Sequence, residues 1–113
     1  MANSMTPEQH TQAIRDIAPA YGEAKANRVY LTEFKQSKKA MLMRDALLNG
    51  IDAASHQERE AYSNPEYLTV IKGLAAAVEV EETLRWELES HRLDIEIFRT
   101  REATNRMQDK AHQ

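Results

Sequence analysis

Residues 64–98 read NPEYLTVIKGLAAAVEVEETLRWELESHRLDIEIF, and this stretch decides the fold. Asn64 can cap a helix and Pro65 suits its first position, since that residue's N–H would have no partner inside the helix. No proline follows, and only Gly73 is a poor helix former. The spacing predicts a helix over 65–108, about 43 residues and on the order of 65 Å long at the α-helical rise. With Tyr67 at position a, the a and d positions are Tyr67, Val70, Leu74, Ala77, Glu81, Leu84, Leu88, His91, Ile95 and Phe98. Only Glu81 and His91 break the apolar line, which predicts coiled-coil packing with two polar, register-setting interruptions. A second apolar line, Trp86, Leu93 and Ile97, falls on another face, and two faces need two partners.

Upstream, TPEQ at 6–9 reads as a capping box opening an N-terminal helix over 7–18. Pro19 is expected to end or kink it, because it lacks a donor and clashes with the preceding turn. A middle helix follows over 19–49 and closes at Gly50. It offers Tyr30, Leu31, Phe34, Met41, Leu42, Leu47 and Leu48 as the apolar cover for the long helix. Residues 51–64 form a connector, in which SHQE at 55–58 reads as a second capping box for a short helix. A middle helix of about 30 residues leaves the last one overhanging by some three turns. The overhang and the unused apolar face predict a homodimer or higher oligomer, with Leu84, Trp86, Leu88, Leu93, Ile95, Ile97 and Phe98 at the interface. The fold expected is all-α: one domain over 1–113, a long antiparallel helical hairpin with coiled-coil packing, assembled into a homo-oligomeric bundle.

Composition agrees with helices. Of the 113 residues, 29% are charged and 6% aromatic, with three glycines and three prolines. The chain contains no cysteine, so disulfides, thiolate metal sites and cysteine nucleophiles are excluded. The start MANSMTPEQH does not read as a signal peptide and no apolar run approaches membrane-spanning length, so a cytoplasmic protein with no membrane partner is expected. The four histidines, His10, His56, His91 and His112, have no metal-ligand spacing. No phosphate-binding glycine loop or nucleophile motif is present. A non-enzymatic protein without metal or cofactor is expected.

The net charge of −3 conceals an uneven distribution. Segment 24–44 carries six basic residues, Lys25, Arg28, Lys35, Lys38, Lys39 and Arg44, against the single acid Glu33. Arg28, Lys35 and Lys39 share a helical face, with Lys25 and Lys38 at its edges. Such a strip could track the phosphates of single-stranded DNA, and it could equally be the charged outer face of a packed helix. Arginines also recur every seven residues at 85, 92, 99 and 106, all at heptad position e. Glu82, Glu89 and Glu96 lie three residues before the first three, which reads as a salt-bridged flank. Arg99, Arg101 and Arg106, where acids thin out, are the better candidates for nucleic-acid contact.

RVYLTEFKQSKKAMLM (28–43) and REAYSNPEYLTVIKGLAAAVEVEETLRWELESHRLDIEIFRT (59–100) carry the motifs R-V-Y-L-x-E-F-x-x-S-K-K-A, A-Y-x-x-P-E-Y, L-R-W-x-L and I-E-x-F-R. This pattern resembles small helical proteins of tailed-bacteriophage early regions, some of which are similar to recombination mediators. The resemblance implies a phage-encoded protein of the host cytoplasm. Its partners would be single-stranded DNA, a single-strand-binding protein, and the phage annealing protein or recombinase it helps to load. It implies no role for any particular residue. The alternative from the residues themselves is an oligomeric coiled-coil adaptor, an assembly chaperone or host-protein inhibitor, with no nucleic-acid contact. A coiled-coil transcriptional regulator is weaker, since no helix-turn-helix is evident.

Overall fold

The computed structural model describes residues 4–112, all of whose regular structure is helical. Three helices follow in order: α1 (Pro7–Leu48), α2 (Ala54–Ser63) and α3 (Pro65–Ala111). Their ends follow local chemistry. At the start of α1 the Gln9 N–H donates to Thr6 Oγ1 at 3.1 Å while the Thr6 N–H donates to Gln9 Oε1 at 2.8 Å, the reciprocal capping box. At its end Gly50 adopts φ 93°, its N–H reaching the Leu47 carbonyl and that of Ile51 the Ala46 carbonyl. This is the left-handed closure that a glycine accepts without strain. Asn64 Oδ1 accepts the Glu66 N–H at 2.8 Å and so caps α3.

Two boundaries differ from expectation. No helix end occurs at Ala18, and α1 runs through Pro19. Proline removes one backbone bond, and Ala18, Pro19 and Ala20 all face solvent, where water can take the orphaned carbonyl. Side chains on the opposite side, Ile14, Ile17 and Tyr21, are half-buried and hold the helix on both flanks of the proline. α1 has 42 residues and α3 47, a smaller difference than expected, yet Pro7 at the start of α1 lies beside Ile95, Phe98 and Arg99, and α3 continues beyond them, exposed, to Ala111. In the connector, Ser55 is not a cap. The N-cap of α2 is Ala53, which makes no side-chain cap bond. Gln57 instead donates Nε2 to the Ile51 and Asp52 carbonyls, at 2.8 and 3.3 Å, tying the helix to the turn before it.

Tertiary contacts divide the chain into two compact units: residues 23–81, and residues 4–22 with 82–112. In the first, Lys38 meets Glu66 and Arg28 meets Glu81, so the later part of α1 and the early part of α3 run antiparallel. Its core is a small cluster of Leu42, Ala61 and Tyr67, with Met43 and Ile71 packed against it. Ala61 is wholly buried, which brings α2 close at a residue without a bulky side chain. In the second unit, His10 near the start of α1 faces His91 and Asp94 of α3.

The heptad line read on α3 is the inward line. Tyr67, Ala77 and Glu81 are buried, and Val70, Leu74, Leu84, Leu88, His91 and Ile95 are half-buried; only Phe98 is exposed. α1 carries a matching line at alternating steps of four and three: His10, Ile14, Ile17, Tyr21, Ala24, Arg28, Leu31, Lys35, Lys38 and Leu42. Each of these is buried or half-buried. This is not the apolar set expected of the middle helix. Leu31 and Leu42 do face inward, whereas Tyr30 is 62% and Leu48 76% exposed, and Met41 and Leu47 also face out. Arginine and lysine can hold seam positions because their aliphatic stems pack while their charged heads reach carboxylates at the margin.

Candidate functional site

The basic segment of α1 is the first candidate, and its charges divide between two sides of the helix. Arg28 is half-buried and grips Glu81 with two bonds, Nε to Oε2 at 2.6 Å and a terminal nitrogen to Oε1 at 3.0 Å. Glu81 is only 7% exposed. A fork-on-carboxylate pair of this kind is strong because both donors and both acceptors are satisfied in one plane. The polar interruption at heptad position a is therefore an ion-pair site, and its partner lies on the other long helix.

Lys38 Nζ lies 3.3 Å from Glu66. Lys39 Nζ lies 2.9 Å from Glu58 and 4.6 Å from the centre of the Tyr62 ring. Hydrogen bonds that the Lys39 ammonium makes with Tyr62 and donates to Glu58 hold it above its ordinary value, and the same ammonium holds Glu58 below the usual carboxylate range. Tyr62 also stands edge-on to Tyr67, ring centres 5.4 Å apart, so Lys39 ties α2 to α1 beside the core. Lys35 is half-buried on the same inward line. Of the six basic residues in 24–44, only Lys25 and Arg44 are exposed. The shared face of Arg28, Lys35 and Lys39 is thus the packed face of α1. The signal was present in the spacing of Ala24, Arg28, Leu31, Lys35, Lys38 and Leu42, a heptad hidden by its charges.

The arginines of α3 also separate. Arg85 pairs with Glu82 at 2.7 Å and lies over the Trp86 ring at 4.6 Å. Arg92 pairs with Glu89 and, at 3.1 Å, with Glu96. Hydrogen bonds to these glutamates raise both guanidiniums above their ordinary value and lower Glu89. Glu96 turns back to Arg92 rather than forward to Arg99. Arg99, Arg101 and Arg106 are exposed and form no ion pair among the described residues. Over residues 97–112 four basic residues, Arg99, Arg101, Arg106 and Lys110, face two acids, Glu102 and Asp109.

The expected oligomer interface also divides. Leu84, Leu88 and Ile95 lie on the inward line of α3, half-buried within the chain's own packing. Trp86, Leu93, Ile97 and Phe98 are exposed large apolar side chains. Phe98 and Ile97 line a cleft of about 330 Å³ with Met5, His10, Asp94 and Arg101. His10, which lines this cleft, has its Nδ1 2.8 Å from His91 Nδ1, a distance that requires one ring to donate and the other to accept. No group of three or more His, Asp or Glu side chains is placed to hold a metal among the described residues. No helix among them is long and apolar enough to cross a membrane.

No protein-family model matches the chain, and no curated protein or solved structure does either.

Proposed function

We propose that the chain is a non-enzymatic accessory protein of phage DNA metabolism, a recombination mediator. It would contact single-stranded DNA and help an annealing protein or recombinase displace a single-strand-binding protein. The observation that carries this reading is the set of exposed arginines Arg99, Arg101 and Arg106, which have no carboxylate partner among the described residues on an acid-poor stretch of α3. Exposed guanidiniums without internal partners suit phosphate, because neutralising each phosphate releases condensed counterions. Lys25 is a further exposed cation, on α1. Arg28, Lys38 and Lys39 are left out of the contact, since each is engaged with a glutamate. The resemblance to phage early-region proteins supports the same assignment. Self-association belongs to this reading as well. The outer side of α1, with Tyr30, Met41 and Leu48 exposed among the mixed charges Glu33, Arg44 and Asp45, is the surface it gives to a second copy.

The inward pairing of Arg28, Lys38 and Lys39 favours a second reading, a helical adaptor that meets only proteins. Fluorescence anisotropy of a labelled single-stranded oligonucleotide at low and moderate salt separates the two. The mediator reading expects binding that weakens steeply with salt and is lost in Arg99→Glu/Arg101→Glu/Arg106→Glu. No binding at low salt leaves the adaptor. Light scattering after size exclusion, with Tyr30→Glu/Leu48→Glu as the comparison, tests self-association.

A further inference from the structure

On α3, positions 86, 90, 93 and 97 are spaced four, three and four residues apart, so Trp86, Ser90, Leu93 and Ile97 form one stripe three turns long. All four are exposed, Trp86 at 59%, and the stripe lies on the side of the helix away from the inward line. Its margins are acidic. Glu82, Glu89 and Glu96 run along one edge, Glu87 and Asp94 along the other. Within residues 82–97 five carboxylates stand against two guanidiniums, Arg85 and Arg92, and both of these are held on the same edge by its own glutamates. The opposite edge has no basic side chain over that span, and its Asp94 lies 3.8 Å from His10.

We infer that this stripe is a docking surface for an amphipathic helix of a partner protein, with a large apolar spine flanked by lysine or arginine. The apolar spine would cover Trp86, Leu93 and Ile97, and the basic flanks would meet the two acidic margins. Charge decides against a second copy of α3 on this face. Parallel pairing along the stripe sets Glu82 against Glu87 and Glu89 against Asp94. Antiparallel pairing sets the Glu82, Glu89, Glu96 row against itself. The same margins repel nucleic acid. The inference uses residues distinct from Arg99, Arg101 and Arg106 and does not rest on the mediator reading.

Trp86 is the chain's single tryptophan, so its emission reports directly on the stripe. The probes are two synthetic tryptophan-free helical peptides with one leucine spine, flanked by lysine in one and by glutamate in the other. Titrating each into the full-length protein should give a saturable blue shift with the lysine peptide only, weakening as salt rises. Leu93→Glu, at an exposed position, should weaken that binding about tenfold or more. Glu87→Lys, at a side chain making no ion pair among the described residues, should weaken the lysine peptide and improve the glutamate one. This reversal of preference cannot arise from a loss of fold. Three results would overturn the inference: emission unmoved by the lysine peptide, equal binding of both peptides, or a blue shift that grows with protein concentration alone.

Discussion

Replacing Arg28 with methionine should be among the most damaging single changes in the chain. Glu81 is nearly buried and accepts two bonds from the Arg28 guanidinium, at 2.6 and 3.0 Å. Methionine keeps much of the stem's volume and removes both donors, leaving a nearly buried carboxylate without the fork it accepts. Breaking one side of a buried pair costs about 3–5 kcal/mol. Arg28 keeps a third of its side-chain surface exposed, so the lower end, about 3 kcal/mol, is the expectation. For a chain of this size that corresponds to a fall in Tm of roughly 10 °C. The reverse substitution, Glu81→Leu, should be milder, because a one-third-exposed guanidinium can turn to water. The double variant Arg28→Met/Glu81→Leu replaces the pair with apolar volume and should recover to within about 1 kcal/mol of the parent. Urea unfolding followed by circular dichroism, run on all four proteins as a double-mutant cycle, reads these values. If Arg28→Met loses no more than an exposed pair would, or if the double variant is as weak as that single one, the pair does not organise the seam.

Four further outcomes follow from other contacts. Ala61→Leu should destabilise by about 1–3 kcal/mol in the same urea assay, because Ala61 is wholly buried against α1 and α3 and extra methylenes have no space. Lys39→Met removes the Glu58 bond and the contact over Tyr62, and should raise amide exchange across α2 while sparing the start of α1. Pro19→Ala restores a backbone donor inside α1 at an exposed site and should stabilise by about 1–3 kcal/mol, measured as a rise in Tm. Lys39 and Arg92 hold Glu58 and Glu89 below their ordinary value of 4.5, so these pairs add stability above that pH and lose it as pH falls through the lowered values. Acid titration in urea should show this limb, and Glu58→Gln should flatten it.

What is local in this protein was legible in the sequence. Thr6 and Gln9 close a capping box, Asn64 caps α3, and Gly50 takes the left-handed turn, because each device involves residues within a few positions of one another. The heptad on α3 was equally legible, since its a and d line runs the length of the helix whereas the second apolar line, Trp86, Leu93 and Ile97, is confined to one short stretch. Helicity through Pro19 was not, because a proline's local penalty opposes packing on the helix's far side, and only the three-dimensional neighbours decide between them. The orientation of α1 was the larger surprise. Its apolar and basic residues both recur at helical spacing, so periodicity alone could not say which side faces α3. The tertiary structure turns Arg28, Lys38 and Lys39 inward because Glu81, Glu66 and Glu58 stand opposite. It leaves Tyr30 and Leu48 outside. A charge is costly to bury alone and tolerable beside its opposite, and that opposite lay 53, 28 and 19 residues away along the chain.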